Sequence, residues 1–277
     1  MPRPLLLTNR TAVVTGAGSG IGRAVSLELA RRGAHLALVD VNAAGLAQTE
    51  AAASALGART STHRTDVSDR EAVADLPEAV RAAHGGAAVV VNNAGVALGG
   101  TFEETSEADF DWLLSINLFG VVRMTRAFLP MLRDAGEAQL VNVSSLYGLI
   151  APAGQTAYSA SKFGVRGFSE ALRKELEGSG VGVTTIHPGG VATNIARSAR
   201  MSQSMTPEVI AAGRAAADRF LRLPPERAAQ IIVDGLVTRK ARVIVGGDAK
   251  LFALIERIAP VGYGAVLRRM GPPRRKA

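Results

Sequence analysis

The chain has 277 residues, no cysteine, 47% hydrophobic and 20% charged residues, and a net charge of +8. That length can bury a sizeable core, the composition is too apolar for disorder, and disulfides, thiolate metal sites and cysteine nucleophiles are excluded. The charge excess lies wholly in residues 239–277, where ten Lys/Arg face Asp248 and Glu256, so the neutral remainder has no bias towards nucleic acid.

Met1 to Arg10 has a three-leucine run but lacks a signal peptide's apolar core, and no segment approaches the ~20 apolar residues that span a bilayer. A cytoplasmic location is expected. Thr11 to Thr15 reads as a short buried strand, followed by TGAGSGIG (Thr15 to Gly22) and a helical pattern through Ala24, Leu27 and Ala30 that ends at Gly33. Strand, glycine turn and helix let backbone amides approach a pyrophosphate, which assigns Gly16, Ser19, Gly20, Ile21 and Gly22 to phosphate binding; a purely structural loop is the alternative. His35 to Val39 is the next strand and closes on Asp40. A carboxylate there accepts hydrogen bonds from ribose hydroxyls and repels a 2′-phosphate; it can also cap the following helix. No Arg or Lys stands at Ser19 or Val41, which favours NAD over NADP.

A polar helix over Ala43 to Leu56 and a weaker strand over Arg59 to Thr65 lead to Asp66-Val67. Asp66 is either a loop carboxylate or an acceptor for an adenine edge, and a helix begins near Ser68 with Glu71 completing a capping box. Ala88 to Val91 is a buried strand ending in Asn92-Asn93-Ala94-Gly95, amides that either line a ligand or pin the strand end. A long helix from Ser106 to Leu132 contains Asn117 in an apolar run, a position calling for a structural hydrogen bond or for a kink that holds a water. Gln139 to Val143 is the fifth strand and ends in Ser144-Ser145, where open α/β sheets bind ligands.

Tyr158 and Lys162 are four residues apart in a helical pattern and share one face. An ammonium beside a phenol is expected to override burial and pull the phenol pKa below its usual value near 10, making Tyr158 an acid/base catalyst. Val183 to His187 is the sixth strand, stopped by Pro188-Gly189-Gly190, with His187 read as a packed strand end. Thr193 to Pro225 reads as a substrate lid, Glu226 to Thr238 as a helix and Arg242 to Val245 as a last strand. Strands alternating with helices give an α/β fold, one doubly wound, mostly parallel seven-stranded sheet over 1–247. No metal site is read from the sequence. Beyond it, 248–277 forms a basic helical extension with Leu251, Leu254, Ile255 and Ile258 at helical spacing before Pro260. That extension either packs on a subunit neighbour, with a solvated basic end, or makes a peripheral membrane contact.

Together TGAGSGIG, NNAG (Asn92 to Gly95), Asn117, Ser145, YSASK (Tyr158 to Lys162) and Pro188-Gly189 with Thr193 resemble the short-chain dehydrogenase/reductase family, over roughly Thr11 to Val245. The resemblance implies a Rossmann-type domain binding a nicotinamide cofactor, NAD being favoured and NADP the alternative, and a homo-oligomer, dimer or tetramer. It implies that Asp66-Val67 meets adenine, that Asn93, Ala94 and Gly95 line the cofactor with Gly189 and Val191, and that Ile186, Pro188 and Thr193 frame its nicotinamide half. It further implies that Ser145 binds the substrate oxygen, Tyr158 transfers the proton, Lys162 lowers the Tyr158 pKa and holds ribose hydroxyls, and Asn117 holds a relay water. Leu98, Leu146, Tyr147, Ile150, Ala151, Pro152 and the lid methionines surround the expected pocket, favouring an uncharged lipophilic ketone or secondary alcohol as small-molecule substrate. A 3-oxoacyl thioester, whose acidic carrier the lid arginines Arg197 and Arg200 or the basic tail could receive, and a non-catalytic cofactor-binding module are the rival readings.

Overall fold

The computed structural model describes residues 3–202 and 205–265. In chain order the elements are β1 (Thr11–Thr15), α1 (Gly20–Arg31), β2 (His35–Asp40), α2 (Ala43–Ser54), β3 (Thr60–Arg64), α3 (Arg70–His84), β4 (Val89–Asn92) and β5 (Leu98–Gly99). They continue with α4 (Glu107–Leu114), a π turn (Ser115–Phe119), α5 (Gly120–Asp134), β6 (Ala138–Val143), α6 (Thr156–Glu175) and β7 (Val181–Pro188). The last are β8 (Arg200–Met201), α7 (Pro207–Phe220), α8 (Pro225–Val237), β9 (Arg242–Val245) and α9 (Gly247–Ile258).

Seven strands form one parallel sheet in the order β3-β2-β1-β4-β6-β7-β9, while β5 and β8 pair separately. The central strands are β-branched and buried along their whole length, as a sheet covered on both faces requires. Alternate residues face opposite layers. Val14, Leu36, Val89 and Val91 pack with α1 and α8 through Val25, Leu29, Ile232 and Leu236, whereas Val13, Val39 and Val90 pack with α3, α5 and α6 through Leu76, Phe128 and Leu172. From β1 the chain winds outward to β3, then returns to the other side of β1 with β4. Ligands in such sheets bind at the carboxyl ends of the two strands flanking that reversal.

Three local expectations are corrected. The capping residue of α3 is Asp69, whose Oδ1 accepts from Glu71 N at 2.9 Å and Ala72 N at 3.1 Å, because Ser68 is already turned onto Asp66. The residue capping α2 is Asn42 rather than Asp40. The continuous helical run Glu107–Asp134 is, by length and composition, long and apolar enough to cross a bilayer, contrary to the sequence expectation. Here that run buries Met124, Phe128 and Leu132 against the sheet, as a core helix does.

Candidate active site

The glycine turn after β1 is shaped by what surrounds it. Gly16 and Gly20 have φ of +67° and +51°, and a Cβ at Gly22 would collide with the Gly16 carbonyl. Helix α1 has no capping side-chain bond and no acid in its first turn, so its leading amides remain free for an anion. Asp40 reaches back to the turn: its Oδ2 accepts from Gly18 N at 2.8 Å and its Oδ1 from Asn42 N at 2.9 Å. A cleft of about 250 Å³ opens beside the turn, between Gly20, Arg23, Ala192, Thr193 and Asn194. It lies at the glycine turn and not over Tyr158.

Across the reversal, Asn93 pins the end of β4. Its amide nitrogen donates to Thr15 O at 3.0 Å, while the backbone N–H groups of Asn93 and Ala94 both donate to Thr15 Oγ1 at 3.0 Å. The pinning alternative is therefore realised. Asp66 Oδ1 is engaged by Ser68 N at 2.8 Å and Ser68 Oγ at 2.7 Å, which is the loop-carboxylate arrangement. Val67 is buried, its side chain and its carbonyl oxygen both set against Gly120. Gly95 backs directly onto Asn117 Oδ1 and Lys162 Nζ, where an added Cβ would lie 3.2 and 3.5 Å away.

Asn117 sits in the π turn, fully buried and fully used. Val96 N donates to its Oδ1 at 2.8 Å, and its Nδ2 donates to Val96 O at 2.9 Å and Ser161 Oγ at 3.3 Å. The structural hydrogen bond and the kink thus occur together, because the π turn shifts the helical register around the amide.

Ser145, Tyr158 and Lys162 converge at the carboxyl end of β6. The Ser145 hydroxyl accepts from Tyr147 N at 3.1 Å and acts against burial on the Tyr158 phenol, and the Lys162 ammonium lies 5.6 Å from that ring's centroid, donating to Val143 O at 3.1 Å. Lys162 is 3% exposed. Tyr147 meets Tyr158 edge-on with centroids 6.0 Å apart. The electrostatics correct the expectation that the cation wins. Burial pushes the Tyr158 phenol up to about 12, and the opposing hydrogen bond comes from Ser145 rather than Lys162. Burial also pushes the Lys162 ammonium down to about 8. In a low-dielectric site both charges are penalised, and the ammonium is spent on a backbone carbonyl.

Three residues join the site that the sequence reading did not place there. His187, fully buried, faces Ser145 O with Nδ1 at 2.9 Å. The partner is a carbonyl, so Nδ1 carries the proton; Nε2 is buried with no partner, and burial holds the imidazole pKa down to about 4. Asp248, at the start of α9, accepts from Gly190 N at 2.7 Å and backs onto Gly189. The Tyr263 hydroxyl accepts from Ala151 N at 3.1 Å. Arg200 stacks on Trp112 at 3.8 Å and bonds Asp109 at 2.6 Å, tying the segment after Thr193 to α4. Of the expected pocket residues, Leu98 and Tyr147 neighbour Tyr158, whereas Leu146 and Ile150 turn towards Phe252 of α9. Val191 is buried and bridges Leu223, and the Thr193 methyl lies against Gly20. Among the described residues no cluster could hold a metal ion.

The glycine turn facing Asn93 across the strand reversal, with Ser145, Tyr158 and Lys162 on the neighbouring strand end and helix, is the arrangement of a short-chain dehydrogenase. The chain belongs to that family: the model described as short chain dehydrogenase matches residues 10–204. It is therefore an oxidoreductase with a Rossmann-type fold. Among relatives, SadH of Mycobacterium tuberculosis, named as an oxidoreductase, is 45% identical over 257 residues, covering 92% of each chain. D-threitol dehydrogenase of Mycolicibacterium smegmatis is 41% identical over 196 residues, 70% of this chain and 74% of that one. The crystal structure of a short chain dehydrogenase/reductase from Burkholderia phymatum in complex with NAD matches with a TM-score of 0.86 at 29% identity, covering 99% of both chains.

Proposed function

We propose that this protein is a nicotinamide-dependent oxidoreductase, NAD being favoured, that interconverts an uncharged lipophilic secondary alcohol and its ketone with Tyr158 as acid/base. The observation that carries the reading is the convergence of Ser145 and the Tyr158 phenol over a buried Lys162, whose ammonium lies 5.6 Å from the phenol ring's centroid. Burying an ammonium is costly, and while holding a cofactor could use Lys162, a module that merely bound a cofactor would gain nothing from Ser145 placed beside the Tyr158 phenol.

The residues fit a dinucleotide: the uncapped α1 amides suit a pyrophosphate, and a carboxylate stands at the end of β2. Gly16, Ser19, Gly20, Ile21 and Gly22 would hold the phosphates, Asp40 the adenosine ribose and Asp66-Val67 the adenine. Asn93, Ala94, Gly95, Pro188, Gly189, Val191 and Thr193 would line the remainder, and Tyr158 with Lys162 would hold the nicotinamide ribose. When bound, the cofactor supplies or accepts the hydride. The Ser145 hydroxyl positions the substrate oxygen; Tyr158 gives that oxygen its proton in reduction and takes it back in oxidation. Lys162 holds positive charge beside the ring below its pKa of about 8. Because both ends of the Asn117 amide are engaged, a relay water there would be held by backbone groups of the π turn.

The segment 193–225 serves as the lid, and residues 1–247 act with it as one catalytic unit. Arg197 and Arg200 are paired with Asp218 and Asp109, which speaks against their receiving an acidic carrier and so against a 3-oxoacyl thioester. Turnover of an alcohol and ketone panel, followed by reduced-nicotinamide absorbance, tests the reading, with polyols such as threitol included. Tyr158→Phe should lose at least about a thousandfold in kcat while keeping cofactor affinity. Retained turnover would remove Tyr158 from the chemistry.

A further inference from the structure

Helix α9 opens the basic extension expected from the sequence, whose end from Arg268 lies outside the described residues. Its first turn, and a tyrosine just beyond its last, reach two different loops of the candidate site. In the first turn stands Asp248. Its Oδ2 accepts from Gly190 N at 2.7 Å, and the carboxylate lies so close to Gly189 that a Cβ there would collide with it. Past the end stands Tyr263, whose hydroxyl accepts from Ala151 N at 3.1 Å.

The two loops have different work. The backbone from Pro188 to Thr193 is the part that the function proposed above gives to the cofactor. Gly189 N donates to Val245 O at 2.8 Å, Gly190 O accepts from Arg222 N and Leu223 N at 2.9 Å each, and Ala192 N donates to Leu223 O at 2.8 Å. To these backbone bonds Asp248 adds a side-chain anchor, and a carboxylate accepting from an N–H makes the stronger, charge-assisted kind.

The second loop runs from Ser145 to the helix that carries Tyr158. Leu146 and Ile150 pack on Ala249 and Phe252 of α9, Tyr147 and Tyr263 border the same cluster, and Tyr147 meets Tyr158 edge-on. Ala151 is exposed, so water would satisfy its N–H in the absence of Tyr263. What the Tyr263 hydroxyl contributes is therefore the place of the loop rather than relief of a buried group.

We propose that Asp248 and Tyr263 are positioning residues, Asp248 setting the cofactor loop and Tyr263 the substrate loop, so that α9 is a working part of the active site. The division of labour between the two loops rests on the function proposed above.

The test is steady-state kinetics of the full chain, with NADH and a ketone that the wild type turns over each varied in turn. Tyr263→Phe keeps the ring and removes the acceptor. It should raise KM for the ketone at least about threefold and leave KM for NADH within about twofold of wild type. Asp248→Ala should do the reverse, raising KM for NADH at least about fivefold with KM for the ketone within about twofold. Asp248→Asn, which keeps an oxygen for the Gly190 N–H, should recover most of that loss. In each variant kcat should fall by less than the affected KM rises. Two KM values that move together, a change in kcat alone, no change, or Asp248→Asn no better than Asp248→Ala overturns the proposal. If Asp248→Ala does not fold, Asp248→Ser, whose hydroxyl stops one atom short of the carboxylate oxygens, is judged by the same criteria. A wild type that turns over no ketone would fault the catalytic reading alone. NADH fluorescence titration then decides through Asp248: a dissociation constant raised at least about fivefold in Asp248→Ala supports its positioning role, and an unchanged one refutes it.

Discussion

A phenol and an ammonium one helical turn apart are legible in any sequence, but which of them keeps its charge is settled by burial. Here desolvation acts on both: Tyr158 is driven up to about 12 and Lys162 down to about 8. The free protein therefore holds a neutral phenol at neutral pH, ready to donate a proton to a carbonyl oxygen. In an ultraviolet absorbance titration, wild type minus Tyr158→Phe should show no ionising component below about pH 10. A component near pH 7 would restore the lysine-tuned phenolate. The Asp40 carboxylate closes the glycine turn, and the function proposed here gives it the adenosine ribose as well. Asp40→Asn keeps one of the two turn acceptors but loses the charge. It should narrow the NAD/NADP preference by about tenfold at nearly unchanged stability, as paired steady-state kinetics and thermal melts would show. Unchanged discrimination would leave Asp40 a turn-closing residue with no part in ribose recognition.

At the scale of elements, the glycine turn, its strand and the Tyr158–Lys162 helix could be read because their signals are local: φ-demanding glycines, β-branched runs and a four-residue spacing. The contacts of segment 193–225 could not. Arg200 meets Asp109 across 91 residues of sequence, and β8 finds β5 as a two-residue pairing too short to leave a period. Asn117 marked itself as a misfit in a helix, yet the shift of hydrogen-bond register that accommodates it is invisible to composition. Helix α7 in the 193–225 segment buries no residue, so the segment depends on anchors to the body such as the Arg200 stack on Trp112, while the Arg197–Asp218 pair at 3.2 Å ties two of its own parts together. Such exposed contacts contribute no more than about 1 kcal/mol each. Arg200→Leu should therefore leave the melting temperature within a few degrees of wild type while raising KM several-fold more than it lowers kcat. A KM that does not move would show that the lid seats itself without this anchor.

For the molecule as a whole, the parts that escaped sequence reading are those joining distant segments: His187 under Ser145, Asp248 under Gly190, Tyr263 under Ala151. They converge on the carboxyl edge of the sheet, so the site's rigidity is a property of the assembled fold. Its acid limit follows from two of the histidines. Burial is the leading cause that lowers both His84 and His187 from 6.5 to about 4, so each is neutral in the folded state and would be charged sooner in the unfolded one. A depressed imidazole pKa contributes stability that is complete above the unfolded value of 6.5 and is lost as pH falls towards 4. His84 is half-exposed and solvent screening reduces its share. His187 is fully buried, and at ~1.4 kcal/mol per pK unit its shift makes on the order of 3 kcal/mol of stability depend on pH in that window. Thermal melts should accordingly drop between pH 6.5 and 4. His187→Gln, which can still donate to the Ser145 carbonyl but cannot take up a proton, should melt lower at neutral pH yet lose less on acidification. An equally steep acid slope in that variant would mean that other groups, the Ser61–His84 contact on the β3 edge among them, set the limit.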